Sequence, residues 1–191
     1  MRIIRNYTLL SIICLMSACT SIPDRCVQLP RAKGHYCLQP STAVAAFSAQ
    51  QKVELNYQQL HETMIADLEV NSHGLQFTTF TPFGQKILQV HDDNLTISNQ
   101  SIAASSLDST LLVGLLQLAL WPSDSIKAGL KLPLTMTETA QERMIFSEDK
   151  KVLSIQYADK SAPYHALSIQ MPLLAFSLDI HELPESTPPN D

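Results

Sequence analysis

Thr110–Trp121, TLLVGLLQLALW, is the stretch from which the fold is read. Its only non-apolar members are Thr110, Gly114 and Gln117, so no polar face survives at 3.6 residues per turn. A helix apolar on nearly all sides is either deeply buried or borders lipid. At 1.5 Å per residue the run is about 18 Å long, too short for a bilayer core of about 30 Å. The reading is a buried helix, with Asp108 or Ser109 as its N-cap and Pro122 as its stop. Ser123 is expected to cap a second, short helix over Asp124–Leu130, and Pro133 closes the helical segment.

On both sides of this segment the period is two. Val53, Leu55 and Tyr57 alternate with Lys52, Glu54 and Asn56, and Met64, Ala66, Leu68 and Val70 alternate with Ile65, Asp67 and Glu69. Such alternation marks half-buried strands. Leu75, Phe77 and Thr79 follow the Asn71–Gly74 turn and run to a break at Thr81–Gly84; Ile87–Val90 and Leu95–Ser98 are split by Asp92, Asp93 and Asn94. Five short antiparallel strands make a meander. After the helices come Arg143–Phe146, Val152–Tyr157, His165–Gln170 and Ala175–Ile180. Ser41–Gln50 is expected as a short helix capped by Ser41 or Thr42. Strands, a helical insert, then strands is an α+β layout with the helices gathered against one curved sheet.

The chain has 191 residues, 45% hydrophobic and 16% charged, which suits one compact domain. Its N-terminus reads as an address. Arg2 and Arg5 precede the apolar stretch Tyr7–Met16, and Ser17 and Ala18 lead into Cys19, the pattern of a secretion signal. Met16-Ser17-Ala18-Cys19 looks like a bacterial lipobox, in which the cysteine is acylated and becomes the first mature residue. Several acyl chains, at about 0.8 kcal/mol per buried methylene, hold a protein on a membrane essentially permanently. Thr20, where Asp would signal inner-membrane retention, points to the periplasmic face of the outer membrane. The expected organisation is a signal peptide over 1–18, a lipid-anchored tether over 19–40, a folded domain over 41–183 and a loose tail over 184–191. Loss of Arg2 and Arg5 lowers Lys+Arg from 13 to 11 against 18 Asp+Glu, which disfavours a nucleic-acid partner. Cys26 and Cys37 remain as an even pair in an oxidising compartment, where a disulfide is expected; a metal site is the rival reading, weakened by the lack of companion ligands at zinc spacing.

Leu75–Asn94 together with Leu111–Pro133 resembles the outer-membrane lipoprotein receptor LolB and the wider LolA/LolB-like superfamily. The resemblance is closer still to a lipoprotein family of that superfamily encoded among genes for aryl-polyene pigments, and covers most of the chain after about Val53. Its most specific piece is TPFG followed by LLVGLLQLALWP. It implies a strongly curved antiparallel half-barrel sheet with a helical lid enclosing a hydrophobic cavity for acyl chains. Leu111, Leu112, Leu115, Leu116, Leu118 and Trp121 would line that cavity under the lid, or form plain core. Phe83, in the Pro-Phe-Gly turn, matches a protruding LolB residue that meets membrane or cargo acyl chains; the plain alternative is an aromatic folded back onto the sheet.

Catalysis has little support, since no GxSxG elbow, HExxH or P-loop occurs and the six histidines are dispersed. No cofactor or metal is expected. His91-Asp92-Asp93 reads as turn chemistry rather than a cation site, and Arg143 beside Glu142 as a rim ion pair rather than a headgroup clamp. The leading expectation is a non-enzymatic module that binds and transfers or inserts an acyl-bearing molecule, lipoprotein acyl chains or an aryl-polyene-type lipid, with a periplasmic carrier or transporter as partner. The alternatives are an anchored scaffold with a filled half-barrel and, more weakly, an acyl-modifying enzyme.

Overall fold

The computed structural model describes residues 25–101, 108–161 and 163–183. The expected signal peptide over 1–18, Cys19, residues 20–24 and the expected tail over 184–191 lie outside them. Among the described residues, twelve strands and two α-helices follow in chain order: β1 Cys26–Val27, β2 Tyr36–Cys37, β3 Phe47–Tyr57, β4 Leu60–Asn71, β5 Gly74–Phe80, β6 Lys86–Asp92, β7 Ile97–Ser101, α1 Ser109–Leu120, α2 Ser123–Gly129, β8 Leu134–Glu138, β9 Glu142–Ser147, β10 Lys150–Tyr157, β11 Ala166–Met171 and β12 Phe176–Glu182. The first two form a small ribbon of their own. The other ten form one open antiparallel sheet in the order β7-β6-β5-β4-β3-β12-β11-β10-β9-β8.

The expected meander β3–β7 is one half of this sheet. A second meander, β8–β12, is the other, and the halves are sewn together where β12 pairs with β3, Val53 opposite Ile180. Alternation gives the sheet its apolar face: Val53, Ala66, Leu68, Phe77, Val90, Ile145, Leu153, Ile155, Leu167 and Ile169 are buried in one cluster with α1. The helix runs as the sequence predicts to within a residue. Asp108 caps it, its carboxylate accepting from the Thr110 amide at 2.9 Å. Among the described residues no helix is long and apolar enough to cross a membrane.

Four local expectations are corrected. Ser41–Gln50 is not a helix: a 3-10 turn covers Ser41–Ala43, and the chain is already strand at Phe47. Ala49 and Gln51, both buried, continue the alternation of Val53 upstream, and pairing with β4 overrides a modest helical composition. The tether expected over 19–40 is folded from Arg25 on. Val27, Leu29, Tyr36 and Leu38 are buried against α1, and Cys26 and Cys37, directly opposite each other on β1 and β2, are joined in a disulfide. Ser123 does not cap α2; it is the first helical residue, and its hydroxyl donates to Glu138 instead. Finally, the strands resume at Leu134 rather than at Arg143: the five residues of β8 follow Pro133 with an alternation too short to mark a strand by itself.

Helix α1 therefore lies between the sheet and the N-terminal ribbon. Gly114 is where the ribbon comes closest: a Cβ there would stand 2.8 Å from Val27 Cγ1. Gln117, buried and mid-helix, bonds the ribbon across the interface. Its Oε1 accepts from the Gln39 amide at 2.8 Å and the Tyr36 hydroxyl at 3.1 Å, and its Nε2 donates to Gln39 O at 2.8 Å. Two of the three non-apolar members of the run, Gly114 and Gln117, are thus a close-contact point and a buried amide hydrogen-bonded through both its oxygen and its nitrogen.

Candidate functional site

A helix that ends inside a protein leaves carbonyls without intrahelical partners. The C-terminal end of α1 solves this with two sheet side chains. Arg143 Nη1 donates to Leu118 O at 2.6 Å, and the Tyr157 hydroxyl donates to Ala119 O at 2.7 Å. On the other side of the same turn, Trp121 Nε1 donates to Pro40 O at 3.1 Å. Arg143 also faces Glu138, its cross-strand neighbour, donating from Nε at 2.9 Å and Nη2 at 2.7 Å to one carboxylate oxygen. Lys160 Nζ reaches that oxygen at 2.6 Å, and both cations lie 5.8 Å from the Tyr157 ring. The expected rim ion pair of Arg143 beside Glu142 is corrected: Arg143 pairs with Glu138 across the strands and its side chain, 4% exposed, is buried, while Glu142 accepts from the Ser154 hydroxyl.

The electrostatics follow. Burial of the Glu138 carboxyl pushes its pKa up, but hydrogen bonds from Lys160, Ser123 and Arg143 outweigh that and hold it at about 2. Burial pushes the Tyr157 phenol up to about 12, so it stays a neutral donor. Two cations face one carboxylate, leaving one positive charge in surplus.

Beside this cluster opens a cavity of about 500 Å³. Its walls come from three distant segments: Val44, Ala45, Ala46 and Phe47 at the entry to β3, Ala119–Ser123 at the end of α1, and Lys160, Ser161, Pro163 and Tyr164 between β10 and β11; Arg143 and Tyr157 complete it. The wall is mainly apolar, and Phe47 stacks on Tyr164 with ring centroids 4.9 Å apart. A cavity of several hundred Å³ with an apolar wall and a few convergent polar groups is the usual form of a small-molecule site.

Of the residues expected to line a cavity, Trp121 lines this one. Leu112, Leu115, Leu116 and Leu118 are buried in the core, and Leu111 is half-buried against it. Phe83 is 98% exposed, so it does not fold back onto the sheet. Cys19 lies outside the described residues. Of the acids near His91, Asp92 is buried and paired with Arg25, while Asp93 accepts from the amides of Leu95 and Thr96 in its own turn. Among the described residues, Cys26, His35 and Cys37 stand close enough to hold an ion, but both sulfurs are taken up by the disulfide. Sequence reasoning missed Glu138, Lys160 and Tyr164, whose roles depend on pairings that local patterns do not reveal.

Comparison with known proteins adds a family and a distant structural likeness. The model of a family described as "Protein of unknown function (DUF3261)" matches residues 48–184. No curated protein matches the chain. Among solved structures, it is similar to a crystal structure described as that of an outer membrane lipoprotein-sorting protein domain from Vibrio parahaemolyticus, at a TM-score of 0.36 and 7% identity, over 75% of this chain and 87% of that one.

Proposed function

The chain belongs to the DUF3261 family, and from its cavity and N-terminal signature we propose that it is an outer-membrane lipoprotein, anchored through Cys19 on the periplasmic face, that binds and hands on an acyl-bearing molecule without catalysing a reaction. The observation that carries this is the apolar cavity of about 500 Å³ at the end of α1. Its size suits one drug-sized or single-chain ligand, and its aromatic wall suits an acyl or polyene chain. Lys160, on the cavity wall and 29% exposed, suits an anionic head. Lipoprotein acyl chains and aryl-polyene-type lipids are the two cargo classes in keeping with the family resemblance. Specificity comes from cavity shape, and the lid role belongs to the end of α1 carrying Trp121. A periplasmic carrier or transporter delivers the cargo, and Phe83 meets membrane or cargo.

The test is uptake of a fluorescent fatty-acid probe. Wild-type protein takes up the probe, and Ala46→Trp, which fills the cavity from an exposed position, lowers affinity at least tenfold with an unchanged unfolding midpoint. A wild-type chain that takes up no probe, or an Ala46→Trp variant that binds as well as wild type, removes the carrier reading in favour of a scaffold. Turnover of an acyl-thioester probe would make it an enzyme. The anchor is tested separately: Cys19→Ser moves the protein to the soluble periplasmic fraction.

A further inference from the structure

Away from the cavity, the described residues bring one set of metal-ligating side chains together: Cys26, His35 and Cys37, whose donor atoms all lie within 4.8 Å of one another. The two sulfurs are joined in the disulfide, half-buried, and the His35 ring stands exposed beside them. His35 and Cys37 are two residues apart along an extended segment, so their side chains leave the same face, and Cys26 is the residue directly opposite Cys37. In the bridged state the set holds no ion, because the thiolate is the ligand form of cysteine. Reduction supplies that form without moving the frame.

The frame is held by contacts that do not pass through sulfur. Val27 pairs with Tyr36 in the same ribbon, and the Leu38 amide donates to Arg25 O at 2.7 Å. Val27, Leu29, Tyr36 and Leu38 are buried in the core. The Arg25 guanidinium is clasped to Asp92 at one end of the ribbon; at the other, His35 O accepts from the Lys131 amide at 2.9 Å. Gly129 of α2 lies so near Cys37 O that a Cβ there would stand 2.5 Å from it. The three backbones therefore keep their places when the S–S bond is cut, and the ligands need only rotate about their side-chain torsions. Metal–sulfur and metal–nitrogen bonds of about 2.3 and 2.0 Å put neighbouring donors roughly 3.5–3.8 Å apart around a tetrahedral ion. That spacing falls inside the present 4.8 Å span.

We propose that Cys26, His35 and Cys37 form a redox-gated site for one thiophilic cation of the Zn(II) or Cu(I) class, with the disulfide as its closed state. A protein dithiol opens it: two electrons and two protons pass to the bridge, the S–S bond breaks, and the reductant leaves as its own disulfide. The ion then replaces the two thiol protons, bonds both sulfurs and one His35 ring nitrogen, and leaves a fourth position for water. Oxidation by a disulfide donor takes the two electrons back, remakes the S–S bond and expels the ion. Two thiolates and an imidazole select soft and borderline ions over Mg(II) or Ca(II). The inference goes beyond the carrier reading and does not rest on it, since none of the three residues lines the cavity.

The experiment is Zn(II) titration, against a competing chromophoric chelator, of the chain over 19–191 with Cys19→Ser, which leaves Cys26 and Cys37 as its only cysteines. One sample is reduced with a phosphine and kept from oxygen; the other keeps its bridge. The reduced chain is expected to bind one Zn(II) per molecule, and the bridged chain to bind about a hundredfold more weakly or not at all. Excess Mg(II) leaves the titration unchanged. Co(II) in place of Zn(II) gives the thiolate-to-metal charge-transfer band that imidazole and carboxylate ligands do not produce. His35→Ala lowers Zn(II) affinity about tenfold or more at an unchanged unfolding midpoint, and His73→Ala, at an exposed histidine in another turn, leaves it as in wild type. Circular dichroism of the reduced chain is expected to match that of the bridged one. Equal Zn(II) binding with and without the bridge, no charge-transfer band with Co(II), an unchanged affinity in His35→Ala, or an equal loss in His73→Ala overturns the proposal. So does a reduced chain that binds no metal or loses its fold. Probe uptake is read on the bridged sample, so failure here leaves the carrier reading standing.

Discussion

Glu138 and Arg143 stand directly opposite each other on neighbouring strands, and the guanidinium that holds the carboxylate also closes the end of α1 through Leu118 O. The pair therefore links the edge strand β8, the helix end and the cavity wall in one unit. Breaking a buried pair from one side leaves an uncompensated charge, which typically costs about 3–5 kcal/mol. Glu138→Gln is expected to lose stability at the lower end of that range, because Leu118 O still accepts from Arg143. Urea unfolding measures it, and a change under about 1 kcal/mol would mean that water already solvates the pair.

Acid should find the same site. The Glu138 pKa is held at about 2 in the folded chain, below its ordinary value of 4.5, so its contribution is present above pH 4.5 and fades as pH falls toward 2. Asp93, held low by hydrogen bonds from Thr96 and Leu95, and Asp159, held low by Ser161, act in the same direction. The difference between wild type and Glu138→Gln isolates the one carboxyl: the stability gap between them narrows over that window. Parallel pH curves would remove Glu138 from the account.

Gly114→Ala sets helix propensity against contact. Alanine favours the helix by up to about 1 kcal/mol, while forcing a methyl against buried Val27 typically costs about 1–3 kcal/mol. Net destabilisation of about 1 kcal/mol is expected. In a Val27→Ala background, the same substitution becomes neutral or stabilising, and thermal melts of the four proteins close the cycle.

Leu115→Ala separates core from cavity. Leu115 is 3% exposed and packs in the core, so truncation should cost about 2–5 kcal/mol. Probe affinity of the folded protein, measured well below its melting temperature, stays within about twofold of wild type. A large affinity loss would extend the ligand site beneath α1.

The legible parts of this fold are those written in local periodicity. The α1 run, its cap at Asp108 and most strands follow from apolar spacing and flanking residues over a short stretch. What was not legible depends on partners far along the chain. Arg25 and Asp92 are 67 residues apart, and their pairing turns an expected tether into a docked ribbon. The cavity gathers residues near 45, 120 and 160, none of which forms a motif alone. Arg143 was read as a rim residue because a charged side chain on an alternating strand is ordinarily solvated; here two carbonyls and a carboxylate replace the water.

The Cys26–Cys37 bridge also sets how the molecule bears load. A pull on the N-terminus enters through Arg25, which is clasped to Asp92 and Asn94, and reaches Cys26. There the covalent route divides, and the sulfur bridge carries tension straight to Cys37 and on to Leu38. The intervening loop, with Leu29 and Tyr36 plugged into the core, is bypassed and cannot be drawn out by that force. The ribbon is a strain relief, like the grip where a cable enters its housing, and it shields the packing under α1 from force applied ahead of Arg25.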